Sequence, residues 1–212
     1  MSRALVFDFD GVLADTLGDM LRFAKQVCAD LGYPCTPSPA DLEALDRMSF
    51  ADYGRQLGLP QERLDDFCRG SFALFSSRQE PPPIFDGIGE VVARLAATHK
   101  IGIVTGNIDR VVRDFLQRHG LAGAIHAVLD VNAPGSRADK IRQMTEVLGE
   151  PASKTYVIGD AVSDFRAARQ AGAKSVAVTW GHQSRAKLAR AGPDHWVETP
   201  ADLLALFQGA SG

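Results

Sequence analysis

Four apolar residues, Ala4 to Phe7, run directly into Asp8, Asp10 and Gly11, and this junction constrains the fold more than any other stretch of the chain. A short unbroken apolar run reads as a strand buried on both faces, the form that strands of parallel sheets take. Carboxylates at the exit of such a strand are costly to bury, and two so close together repel unless a partner or a cation joins them. In open α/β sheets the carboxyl ends of strands are also where ligands bind. The first strand is therefore expected to deliver two acids to a metal site.

From Asp15 to about Ser77 the β-rich signal disappears. Leu17, Met20, Leu21, Ala24, Val27, Cys28 and Leu31 recur at helical spacing, with Gly32 as a stop. A short helix is expected around Leu42 and Leu45, and another over Phe50 to Leu57. A fourth runs over Gln61 to Phe75, with Leu64, Phe67, Cys68, Phe72 and Phe75 as its inner face. Pro81 to Pro83 read as a stiff linker. The expectation is an all-helical insert, 15–83 with its linkers, set into a core made of 1–14 and 84–212.

After the linker, helices and strands alternate. Expected strands are Lys100–Val104, Ala124–Leu129, Thr155–Ile158, Ser175–Val178 and a weaker one at His195–Val197. The expected helices are Gly87–Ala97, Ile108–His119, Ala138–Leu148, Ser163–Ala171 and Ala201–Phe207. That alternation implies right-handed crossovers and an α/β fold built on a doubly wound parallel sheet.

A net charge of −3 and a pI near 5.9 give no footprint for a nucleic-acid partner. No stretch approaches the roughly 20 apolar residues of a membrane span, and Asp8 and Asp10 interrupt any signal-peptide pattern. Cys28, Cys35 and Cys68 fit neither a disulfide framework nor a zinc spacing. A cytoplasmic protein with reduced thiols is expected.

Each strand end carries something polar. The second ends in Thr105, Gly106 and Asn107, where a hydroxyl and the N–H groups of a helix start suit an anion. The fourth ends in Gly159 and Asp160, with Asp164 one helical turn further on the same side. With Asp8 and Asp10 these make four carboxylates in one cleft, a set of hard oxygen ligands that favours Mg²⁺. Arg137 and Lys140 supply candidate cations near a helix start, where positive charge is unfavourable unless an anion is met.

Four pieces, D-F-D-G-V-L-A-D-T, V-T-G-N, the Arg137/Lys140 region and G-D-A-V-S-D, resemble the four motifs of the haloacid dehalogenase-like hydrolase superfamily. The helical insert resembles its C1-type cap. The tail T-W-G-H-Q-S with P-D-H-W-V-E-T-P-A-D-L resembles the phosphoglycolate phosphatase branch. This resemblance implies a phosphatase acting on a small phosphorylated metabolite of the phosphoglycolate kind, and a small carboxylated substrate would suit an Arg or Lys on the insert. Asp8 would be the nucleophile that becomes an aspartyl phosphate, and Asp10 the general acid and then base. Mg²⁺ would be held by Asp8, the Asp10 carbonyl, Asp160 and Asp164. Gly11, Thr105, Gly106, Asn107 and the third-motif cation would surround the phosphate. That cation is expected to be Lys140, for its compact charge, although Arg137 has the better spacing.

An acid two residues after the nucleophile favours a phosphatase over a dehalogenase. A phosphomutase would keep every motif, and a receiver-like or inactive phospho-binding module is the alternative from another class. Arg22, Lys25, Arg47, Ser49 and Arg55 are the insert's candidates to touch the leaving group, against the plainer reading of each as a solvated residue on a helix face. His182, after Trp180-Gly181, is in place to line the cleft, but the expectation is a loop histidine without a role.

Overall fold

The computed structural model describes residues 2–208 of the 212. Position 1 and positions 209–212, at the outer ends of the expected core segments, lie outside the described residues. Six parallel strands form one sheet in the order β3-β2-β1-β4-β5-β6. They are β1 (Ala4–Phe7), β2 (Lys100–Val104), β3 (Ala127–Leu129), β4 (Thr155–Gly159), β5 (Lys174–Val178) and β6 (His195–Val197). All four residues of β1 are fully buried, as the apolar run requires of a central strand. The order reverses at β1, which makes the space beyond its carboxyl end the topological switch point.

Register settles which side chains meet there. Phe7 pairs with Ile103 of β2 and with Ile158 of β4. The three strands therefore end level, and Asp8, Thr105 and Asp160 leave the sheet on one edge.

The helical insert holds α1 (Leu17–Asp30), α2 (Pro39–Ala44), α3 (Phe50–Gln56) and α4 (Leu64–Ser77). These pack around an apolar cluster of their own that includes Val27, Cys28, Leu42, Tyr53, Leu64 and Phe67. The two linkers to the core run side by side. Asp15 N–H donates to the Pro83 carbonyl at 2.9 Å and Phe85 N–H to the Leu13 carbonyl at 3.1 Å.

The sheet is covered on both faces by α5 (Ile88–Ala96), α6 (Asp109–Arg118), α7 (Arg137–Leu148), α8 (Val162–Ala171), α9 (Arg185–Ala189) and α10 (Pro200–Gln208). Alternation along β1 sends Leu5 and Phe7 into the layer with Val92, Phe115 and Phe207. Ala4 and Val6 point the other way, toward Ile141, Met144 and Ala168. The doubly wound α/β reading holds.

Two local readings differ. β3 starts at Ala127 because Ala122–Ala124 form a 3₁₀ turn rather than strand. α9 was not expected: its five residues are too few to show a hydrophobic period, and the Ser184 hydroxyl caps it by accepting from Lys187 N–H at 3.3 Å. Among the described residues no helix is long and apolar enough to cross a membrane.

Candidate active site

Asp8 continues β1 by one residue, its N–H donating to the Ile158 carbonyl at 2.9 Å. Asp160 ends β4 and Asp164 sits in the first turn of α8; both are 1% exposed. Oxygens of Asp8, Asp160 and Asp164 all lie within 4.8 Å of one another. The acids read from opposite ends of the chain thus share one site. The Asp10 carboxylate stands beside this trio, accepting from Asn107 Nδ2 through both oxygens at 3.3 Å.

One cation reaches the cluster from α7. Arg137 places a terminal nitrogen 2.8 Å from Asp8 Oδ2 and its Nε 2.9 Å from Asp164 Oδ1. Lys140, favoured from the sequence, does not reach Asp8. One turn further along α7, its ammonium donates to the Asp130 carbonyl at 2.6 Å and the Val131 carbonyl at 3.4 Å. It ties down the loop after β3 because the helix turns it away from the cleft, and Arg137, the residue with the better spacing, is the one that meets Asp8.

The electrostatics show how strained this gathering is without further positive charge. Burial pushes the Asp8 carboxyl well above the usual carboxylate range; Arg137 opposes the rise, while Asp164, Asp160 and Asp10 add to it. Asp164 is brought up to about 6, again chiefly by burial. Asp10 is also raised by burial, against the pull of His182, Asn107 and Thr16. Asp164 Oδ1 is buried with no hydrogen bond, since Arg137 lies close to it but off the bonding direction. Buried, mutually repelling, hard oxygen donors fit a divalent cation of the Mg²⁺ type.

Space around the acids is regulated by missing side chains. Gly11 has φ +77°, and a Cβ on it would collide with Asp160 Oδ2 and His182 Nδ1. A Cβ on Gly181 would strike Asp160 and the Gly11 carbonyl. The expectation that Gly11 serves the phosphate is not met, because its N–H already donates to the Ala14 carbonyl at 2.9 Å. It shapes a turn and leaves room. Thr105 is buried, and its hydroxyl accepts from Asn107 N–H at 2.9 Å. That N–H is therefore taken, which corrects the expectation that it faces the phosphate. Gly106 is exposed, with no atom within 4 Å of where a side chain would start, so its backbone stays open to an approaching anion.

His182, expected from the sequence to have no role, lines the cleft. Its N–H donates to Asp160 Oδ2 at 2.7 Å, and its Nδ1 lies 2.8 Å from the same oxygen. The ring is buried, with Nε2 unpartnered. Burial alone would lower its pKa, but Asp160, Asp10 and Asp8 outweigh that and bring it up to about 9. The available signal was topological: the loop after β5 leaves the sheet beside the end of β4, where Asp160 sits.

These residues open into a cavity of about 350 Å³ that continues from Asp8, Asp10 and Asp160 to the insert. Arg22 and Arg47 stand outward, at 67% and 72% side-chain exposure, paired with Asp19 and Asp52. Arg55 also pairs with Asp52, and Lys25 is exposed. Of the five polar candidates only Ser49 lines the cavity.

The haloacid dehalogenase-like hydrolase family model matches residues 5–178. A phosphoglycolate phosphatase of Synechococcus elongatus is 32% identical over 205 residues, covering 95% of each chain. One from Vibrio parahaemolyticus is 24% identical, covering 95% of this chain and 94% of its own. Among solved structures, a haloacid dehalogenase-like hydrolase of Streptococcus pneumoniae superposes with a TM-score of 0.85 at 20% identity, covering 98% of this chain and 99% of the other. That likeness speaks for the fold.

Proposed function

This chain belongs to the haloacid dehalogenase-like hydrolases, and from that premise we propose that it is a Mg²⁺-dependent phosphatase that frees inorganic phosphate from a small phosphorylated metabolite through an aspartyl phosphate. The observation that carries the reading is the trio Asp8, Asp160 and Asp164, drawn within 4.8 Å, with Arg137 laid across Asp8 and Asp164.

In the first step an oxygen of Asp8 attacks phosphorus, and the bond to the ester oxygen breaks. The departing alkoxide takes a proton from Asp10, whose raised pKa supports its holding one. In the second step water attacks the aspartyl phosphate, gives its proton to Asp10, and inorganic phosphate leaves as Asp8 is restored. Arg137, held on Asp8, offsets negative charge on nucleophile and phosphoryl group. The Thr105 hydroxyl and the Gly106 N–H hold the phosphoryl oxygens. A cation bound by Asp8, Asp160, Asp164 and the Asp10 carbonyl would supply the neutralisation that lets two anions approach. Residues 15–83 act as a cap that keeps bulk water out until the first step is complete.

The test is phosphate release from a panel of small phosphomonoesters, with Mg²⁺ and with chelator. Metal-dependent release, abolished in Asp8→Asn, is expected. Release that is indifferent to metal, or that survives Asp8→Asn, overturns the proposal.

A further inference from the structure

The cavity has two ends of opposite character. One is the acid cluster. The other is built by the insert from Met20, Met48, Phe50, Cys68, Phe72 and Phe75. Phe50 packs edge-on to Phe72 at 4.9 Å between centroids and tilts against Phe75 at 5.5 Å, so the far wall is a small aromatic cage. Among the described residues the insert places no Lys, Arg, Asp or Glu on the lining. Its one polar contribution, Ser49, is occupied: the hydroxyl donates to Asp52 at 2.7 Å and accepts from Asp52 N–H at 3.1 Å. The cavity's own cations, Arg137 and His182, are held by Asp8, Asp164 and Asp160.

From this we infer that the ester's leaving group is an apolar, ring-bearing alcohol rather than a small carboxylated one such as glycolate. The inference rests on the phosphatase reading and names the substrate class of that site. A carboxylate carried on the leaving group would exchange its water for methyl groups and ring edges, and no insert side chain on the lining has a free N–H or O–H donor to replace it. An apolar alcohol gains from the same exchange. Volume agrees. At a share of about 30 Å³ per water, the cavity holds on the order of ten waters, and a phosphoryl group with two carbons leaves the aromatic end unfilled. The nearest competing donor is Arg78 at the close of α4. Its side chain is 8% exposed, its guanidinium lies over the ring of the lining residue Phe75 at 5.5 Å, the Asp10 charge acts on it, and its Nε and one terminal nitrogen lack hydrogen-bond partners; it ion-pairs with Asp19 and is not itself part of the lining.

The experiment compares kcat/KM for benzyl phosphate, ethyl phosphate and phosphoglycolate with Mg²⁺ present. Benzyl and ethyl phosphate both release simple primary alcohols, so the ring is the main difference between them. Benzyl phosphate is expected to exceed each of the others by at least about tenfold, within the range that a hydrophobic pocket achieves. In Phe72→Ala the ratio of benzyl to ethyl phosphate is expected to fall about tenfold, with circular dichroism confirming the fold. Phosphoglycolate turning over as well as or better than benzyl phosphate overturns the inference and leaves the phosphatase intact. If that turnover then collapses in Arg78→Ala, the buried guanidinium reads the carboxylate. Release from none of the three esters overturns the inference together with the phosphatase reading.

Discussion

The two walls of the cavity are built by different rules. The core wall is charged and crowded: Asp8, Asp160 and Asp164 compete for one small volume that Gly11 and Gly181 keep open. The insert wall is apolar, and its phenyl rings and methionines make no directional demand on a ligand. Crowded charge tolerates little change, because each group is placed against the others and burial magnifies every imbalance. Apolar surface tolerates repacking at modest cost. Under the proposed function, the comparison assigns the chemistry to the core and leaves the insert free to choose the leaving group.

The sharpest way to break that division is to neutralise one acid. Asp8→Asn keeps the shape and removes the nucleophile, so kcat should fall by about 10⁴ or more, measured as phosphate release. A milder loss would mean that Asp8 is not attacking phosphorus. Next in size is the contrast between two cations on one helix. Arg137→Ala should cost about 10²–10³ in kcat, as loss of a charge-stabilising donor does. Lys140→Ala should cost activity only a few-fold, since its ammonium serves the carbonyls of Asp130 and Val131. Its effect should appear in the melting temperature instead. Comparable losses in both variants would erase the distinction drawn from their geometry.

The same contrast explains what was legible in the sequence. Asp8, Asp10, Asp160 and Asp164 stood out together: Asp164 alone reads as the helix cap that it also is, accepting from Ala161 N–H, but four acids at two strand ends are too much like charge for one cleft, and β1 is a continuous apolar run. The fold followed from the alternation of elements. The insert wall stayed hidden because Phe72 and Phe75, which face the cavity, obey the same helical period as Phe67, which faces the insert's own core. Period identifies an inner face and is silent on whether protein or ligand fills the space beyond it. Polarity was no guide to that wall: Arg22, Arg47 and Arg55 are the solvated helix-face charges that their positions suggest, each satisfied by a neighbouring Asp at the surface. His182 was hidden for another reason. Its meeting with Asp160 depends on β4 and β5 being neighbours, which the linear chain does not state.

Metal and pH provide a third, intermediate test. The Asp164 carboxyl is raised to about 6 in the folded protein, against about 4 for an unperturbed carboxylate. A raised carboxyl binds its proton more tightly in the folded state. The stability it contributes is present below pH 4 and is lost as pH rises through about 6. Asp8 and Asp10 shift in the same direction. The metal-free core wall should therefore become less stable between about pH 4 and pH 6, and Mg²⁺ should take over from the proton above that. Saturating Mg²⁺ is expected to raise the melting temperature by about 5 °C at pH 7.5 and by much less at pH 5. Equal shifts at the two pH values would mean that the metal binds away from the acids.

The smallest expected effect bears on the insert wall. Arg22 and Arg47 are exposed candidates on the insert, with side chains at 67% and 72% exposure and their charges met by Asp19 and Asp52. Exposed pairs of this kind contribute little, because solvent screens them and ordering two long side chains offsets the attraction. The double variant Arg22→Ala/Arg47→Ala should shift the melting temperature by less than about 2 °C and change kcat/KM for benzyl phosphate and phosphoglycolate by less than about twofold. The size of the effect matters less than its selectivity. If phosphoglycolate turnover fell tenfold while benzyl phosphate turnover held, a surface arginine would have to swing inward over the acids when that ester binds. The insert wall would then be charged in the complex, and the contrast between the two walls would belong to the ligand-free protein alone.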